Sequence, residues 1–233
     1  MLWFYHLFFL TIFRVVWNQS TFYHTLFPIV YINDIYKHRD YIFEFLKHIF
    51  VGIHGHITTY DIPNLNIYQM LPIKSQHPSA YSFYQLEYAV YLYDMIVCFY
   101  NKLPSIFVLH HMITVFLMYL SERYHFMYSG IYVLNMLNTT TPFLHIAKMV
   151  RNCKNKKYQI YTDTLLWCLF FYHRIYRFTF YLYEHRQFIY DHHYYHLLDG
   201  PLLIVYGMQW LWFIRLTQIY KKDTLPLIRV YLK

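Results

Sequence analysis

Two adjacent histidines, His110-His111, sit in the apolar stretch VLHHMITVFLMYL. Imidazole titrates near neutrality and serves as a proton acceptor, donor or ligand. Polar groups are expensive in hydrocarbon, and where they occur there they usually carry a function. One apolar segment upstream lies a carboxyl, Asp94; one segment downstream, LNTTTPFLHIAK holds Asn138 and Thr141. An imidazole, a carboxyl able to orient it, and amide and hydroxyl groups are the parts from which a buried polar cluster is built in a helix bundle. On a helix Thr114 and Ser121 share a stripe with His110, and Asn135, Asn138, Thr141 and His145 share one side of the next segment. Pro142 removes a backbone donor beside them, so the helix there lacks a bond and shapes a pocket wall.

The segments that must position these groups read as membrane helices. Of 233 residues 58% are hydrophobic and 24% aromatic, and only 14% are charged, against about 25% in a soluble domain. About 20 mostly apolar residues cross a bilayer. On that length the chain predicts an all-α, multi-pass transmembrane bundle of about seven spans, near 2–17, 43–60, 84–100, 104–121, 125–147, 159–183 and 199–219. The first is short and carries His6 and Arg14, as a signal anchor can. Phe22 to Ile32 is apolar but too short to span, which suits a position on the membrane surface. The chain divides into an N-terminal anchor and interfacial segment (1–44), a transmembrane domain (45–220) and a basic cytosolic tail (221–233). The three cysteines have neither disulfide nor metal spacing.

The net charge of +8 follows from topology. Lys148, Arg151, Lys154, Lys156 and Lys157 crowd one loop, and Lys221, Lys222, Arg229 and Lys233 follow the last span. Both clusters fall on the cytosolic side, with Lys37, Arg39, Lys47 and Lys102. No nucleic-acid partner is expected. On this topology His110 lies about 9 Å from the cytosolic surface, Asp94 at a similar depth, Thr141 about 10 Å and Asn138 about 15 Å. Three consecutive antiparallel helices thus bring Asp94, His110, His111, Asn138 and Thr141 to one level, with Asp94 the expected partner of the imidazoles. His173, Arg174 and Arg177 fall toward the other end of span six, either snorkelling or holding a phosphate or carboxyl head group.

These residues resemble the TLC-domain family of polytopic membrane proteins, which includes the ceramide synthases and smaller TLC-domain proteins. Against the ceramide synthase motif, from HH to HDxxDxxLExAK, His110-His111, Thr114, Ser121, Gly130, Leu144, Ala147 and Lys148 fall in register without a gap. Leu137, Asn138 and Thr141 stand where that motif has its second His and two Asp, and His145 stands at its Glu. The smaller proteins fit better: Tyr93-Asp94 before HH, Thr140-Thr141-Pro142-Phe143-Leu144, an arginine matching Arg174, the Trp212-Phe213 pair and an early histidine matching His54. The resemblance covers roughly residues 45–220. It implies a protein that binds or handles lipid, in sphingolipid or phospholipid acyl metabolism or membrane composition, in the endoplasmic reticulum or another internal membrane. His110, His111 and Asp94 are then the catalytic candidates. Asn138, Thr141, Thr114, His54 and Arg174 are the substrate-binding candidates.

The alternative is a ceramide synthase-like N-acyltransferase with His110 or His111 as base and acyl-CoA as substrate; whether the chain is an enzyme stays open. A di-iron lipid hydroxylase is more remote. The chain has 16 histidines, with DHHYYH at 191–196 and His54-Gly55-His56, but lacks repeated HxxxH and HxxHH boxes. Neither metal nor cofactor is expected. The partners expected are the bilayer and a lipid or acyl-chain ligand, and the oligomeric state is left open.

The charge pattern puts residues 148–158 and the C-terminus on one cytosolic side. Impermeant thiol labelling of Cys153 and protease protection of a C-terminal epitope should report the same face; opposite faces would remove the seven-span topology.

Overall fold

The computed structural model describes residues 2–19, 35–60, 77–151, 156–190 and 196–231. Among these, all regular structure is helical: α1 (Leu2–Gln19), α2 (Ile35–Tyr60), α3 (Pro78–Tyr100), α4 (Ser105–Arg123), α5 (Met127–Val150) and α6 (Lys156–Phe170). A π turn (Phe171–Tyr176) continues α6 into α7 (Arg177–Tyr190). A second π turn (Tyr220–Thr224) joins α8 (His196–Ile219) to α9 (Leu225–Tyr231). Counted as continuous rods these are seven, the all-α bundle read from the sequence. The apolar stretch Phe22 to Ile32 and most of DHHYYH lie outside the described residues.

Local chemistry sets the rod ends. Pro78 occupies the first turn of α3, where its missing N–H is no loss, and α4 starts directly after Pro104. Lys102 and His125 take positive φ values of 51° and 63° in the tight turns after α3 and α4. Such left-handed residues stop a helix and reverse the chain. Short turns make α3, α4 and α5 successive neighbours. α2 lies against α5 and α3, α1 against α3, α4 against α8, and α6 with its π turn against α5.

Large apolar side chains face outward, and several polar ones are buried within an otherwise apolar core. Phe8, Phe9, Ile53, Ile57, Leu211 and Ile214 are exposed, while Glu87 and Gln209 are 0% exposed and Lys47 is 4%. That arrangement suits lipid as the outer solvent. Two helices are long and apolar enough to cross a membrane by length and composition, Ser105–Arg123 and Asp199–Tyr231. The other rods carry groups such as Glu44, Lys47, Glu87, Asp94 and Arg174, each of which has at least one partner inside the bundle.

Close approach of α2 to α3 and α5 depends on Gly55. A Cβ there would meet Phe83 Cε2 and Cζ at 2.6 Å and Asn135 Oδ1 at 3.0 Å. Phe83 is wholly buried, so its ring has little room to yield. Gly55→Val should therefore lower stability by about 1–3 kcal/mol, the usual effect of overpacking. Gly207 has nothing within 4 Å of its missing Cβ. Gly207→Ala should be neutral or stabilise by up to about 1 kcal/mol, since alanine is the better helix former. Thermal unfolding of both variants in detergent checks the pair.

Candidate functional site

The inner stripe of α3 carries a polar head at nearly every turn: Tyr84, Glu87, Tyr91 and Asp94, at helical three-and-four spacing. Between them they meet three helices, α4, α5 and α2. The Tyr84 hydroxyl donates to the Met118 carbonyl at 2.8 Å and shares a hydrogen bond with the Ser121 hydroxyl on α4. Glu87 accepts from the Asn138 amide on α5. Tyr91 packs its ring against His110 and His111, at centroid distances of 6.2 and 5.6 Å. Asp94 is ion-paired and hydrogen-bonded to the Lys47 ammonium on α2, and Lys47 also lies 2.5 Å from Glu44.

The expected pairing of Asp94 with the histidines is thus corrected. Lys47 takes the carboxylate because a buried ammonium demands anionic partners more strongly than a neutral imidazole does. Lys47 is likewise not a cytosolic surface charge: its side chain is 1% exposed, clamped between α2's own Glu44 and α3. Nor do Asn138 and Thr141 partner the imidazoles, since Asn138 binds Glu87 and Thr141 accepts from Arg174.

Arg174 is the second correction. It does not snorkel to a membrane face but lies 8% exposed in the first π turn, at the level of Thr140 and Thr141. Its Nε donates to Thr140 Oγ1, Nη1 to Gln209 Oε1 at 3.2 Å, and Nη2 to Thr141 Oγ1 at 2.8 Å and the Leu137 carbonyl at 2.6 Å. Its guanidinium also rests 5.0 Å above the Phe170 ring. Pro142 breaks the backbone ladder of α5 at this point, and the threonine run supplies acceptors there. A π turn widens the helix by one residue and re-aims its side chains, a device common at functional sites.

The histidine pair itself is enclosed by aromatics. The His110 and His111 rings are 5.2 Å apart, and His110 meets the edge of Trp212 at 4.7 Å. Nδ1 of both histidines, Nε1 of Trp212, Nε2 of Gln209 and Oε2 of Glu87 are buried without a hydrogen-bond partner. An unmet buried polar atom costs about 1–3 kcal/mol, so such a set is suited to a polar ligand group. Thr114 stays within its own helix, donating to the His110 carbonyl at 2.8 Å, and faces a separate small pocket of about 60 Å³ with Ser121 and Tyr181. His54 is set apart, stacked on Phe50 and edge-on to Phe83, each at 6.2 Å.

A larger cavity of about 660 Å³ opens between α2 and α5. His48, Asn138, Thr139 and Pro142 line it, with Tyr132 and Arg177, whose guanidinium donates to the Tyr132 hydroxyl at 2.9 Å. Its size falls within the range of small-ligand sites. Sequence reasoning missed Glu87, Glu44, His48 and Gln209. The signal for Glu87 was present: it stands seven residues before Asp94, on the same helical stripe.

Removing one member of a buried ion pair leaves the other charge unpaired, at about 3–5 kcal/mol. Lys47→Met should therefore destabilise the bundle strongly. Adding Asp94→Asn should recover part of the loss, because one of the two stranded carboxylates is gone. Chemical or thermal denaturation of the single and double variants checks this; strict additivity would dissolve the pair as a structural tie.

A family model, described as the TLC domain, matches residues 37–218. Comparison with curated proteins and with solved structures gives no match. The matched segment runs from α2 into α8 and contains the α3 stripe, the histidine pair, Arg174 and both cavities. The chain therefore belongs to the TLC-domain family, a membrane-associated family with lipid-related function.

Proposed function

We propose that this protein binds a membrane lipid, with an acyl chain in the cavity between α2 and α5 and a polar group directed to the buried donors of the bundle. The observation that carries this reading is the juxtaposition of the 660 Å³ cavity with Asn138 and the Glu87 carboxylate behind it. A cavity that is mainly apolar with a few convergent polar groups is the usual form of a ligand site. Arg177 and Tyr132 at the cavity wall suit a phosphate or carbonyl oxygen, since a guanidinium donates several bonds in one plane.

Retention of lipid, rather than acyl transfer, is the favoured activity. A general base needs a group that holds its tautomer and orientation. Among the described residues Asp94 is held by Lys47, Glu87 accepts from Asn138, and Nδ1 of both histidines has no hydrogen-bond partner. An N-acyltransferase acting through His110 or His111, with acyl-CoA as donor, remains the second reading, supported by those same free nitrogens. The protein would act in the endoplasmic reticulum or another internal membrane, with the Lys/Arg-rich end of α5 and the C-terminal helix α9 toward the cytosol.

Gly52 lines the cavity, and nothing lies within 4 Å of a Cβ added there. Gly52→Trp should fill the space without disturbing the packing. Lipid mass spectrometry of the purified full chain should show a bound lipid class that Gly52→Trp depletes several-fold. A His110→Ala/His111→Ala variant separates head-group capture from chain capture. No lipid above the detergent background, or equal lipid in wild type and Gly52→Trp, would overturn the reading.

A further inference from the structure

A second histidine pair joins α2 to α5, at the edge of the cavity between them. His48 on α2 and His145 on α5 stack at a centroid distance of 5.6 Å with an interplanar angle of 11°. They are 9% and 8% exposed, and Nδ1 of each is buried without a partner. Glu44 stands one turn before His48, its Oε2 3.9 Å from His48 Nε2. One donor atom from each of Glu44, His48 and His145 lies within 4.8 Å of the others.

We propose that Glu44, His48 and His145 form a binding site for a single divalent cation of the zinc class. Three protein ligands of the His₂Glu type, with a fourth position left open, are a recurrent zinc arrangement. Metal–nitrogen bonds of about 2.0–2.1 Å place neighbouring ligands of a tetrahedron roughly 3.3 Å apart, so modest side-chain rotation closes the set. Two stacked imidazoles with unmet Nδ1 atoms are poor core residues but ready ligands.

Lys47 faces two carboxylates, Glu44 and Asp94, and Lys148 lies within electrostatic reach of Glu44 and His145, so the fixed charges of this corner balance. Lys47 holds Oε2 of Glu44, the same oxygen that faces His48 Nε2, and so orients the carboxylate, the role that outer-shell partners play around metal ligands. Lys148 also rests 5.7 Å above the Tyr41 ring, and Arg151 lies 3.6 Å from Asp163. His48 also lines the cavity between α2 and α5, which gives the open coordination position a route to a small ligand. The metal assignment stands whether or not that cavity holds lipid.

The test uses the full chain in detergent, purified through a tag without histidine, stripped with a chelator and reloaded with Zn²⁺ or Co²⁺. Elemental analysis should return one ion per chain, and Co²⁺ should give the visible absorption of a four-coordinate site. His48→Ala and His145→Ala should each abolish stoichiometric binding, and Glu44→Gln should weaken it by about tenfold or more. If either histidine variant fails to fold, X-ray absorption on the Zn²⁺-loaded wild type decides, with two histidine nitrogens expected in the first shell. Stripped wild type that takes up no Zn²⁺, histidine variants that bind as wild type does, or an ion lost instead with His110→Ala/His111→Ala would each overturn the proposal.

Discussion

A single ammonium organises one end of this bundle. Lys47 sits in the interior with Glu44 of its own helix and Asp94 of α3, and none of the three can be left alone in a low-dielectric medium. The tie fixes how far α2 has slid along α3, and with it everything further along α2. His48 then faces His145, Gly52 faces the cavity, and Gly55 reaches the Phe83 ring. A slip of one residue would rotate α2 by about 100° and strand the ammonium in hydrocarbon. Ion pairing here sets register more than it adds stability.

Arg174 does for α5 and α8 what Lys47 does for α2 and α3. Its donors join the Thr140 and Thr141 hydroxyls, the Leu137 carbonyl and Gln209, so one side chain ties together two helices besides its own. The threonine run explains why α5 can receive it: two of the acceptors are the Thr140 and Thr141 hydroxyls, while the carbonyl that Pro142 leaves without its helical donor is that of Asn138, not of Leu137. The two anchors divide the interior into a charged corner at Lys47 and a hydrogen-bonded middle at Arg174. The histidine pair His110-His111 is packed against Tyr91 and Trp212.

The rods were legible because hydrophobic length and punctuating prolines are local properties. Every expected span corresponds to a helix, and the in-register HH-to-lysine pattern led to the family that residues 37–218 match. The partners were not legible in the same way. Depth along a helix placed Asp94 level with His110, but depth says nothing about azimuth, and the lysine that claims Asp94 was counted with the surface charge of a loop. Arg174 was misplaced because a snorkelling reading assumes that a long cation escapes the interior, while here α5 supplies acceptors. Asn138 departs from the acid usual at that position; the carboxyl it binds, Glu87, comes from α3.

The π turn at Phe171–Tyr176 is one residue longer than the α-helical path it replaces. Seen as a length of chain, it is a single-residue insertion absorbed without breaking the rod. It shifts the phase of everything that follows along the rod by about 100° relative to an uninterrupted helix. Arg174 binds Leu137, and Arg177, three residues later, reaches Tyr132 of the same helix α5 beside the cavity. One extra residue in this chain therefore helps to set which level of α5 each of two neighbouring arginines meets, the structural centre or the cavity wall.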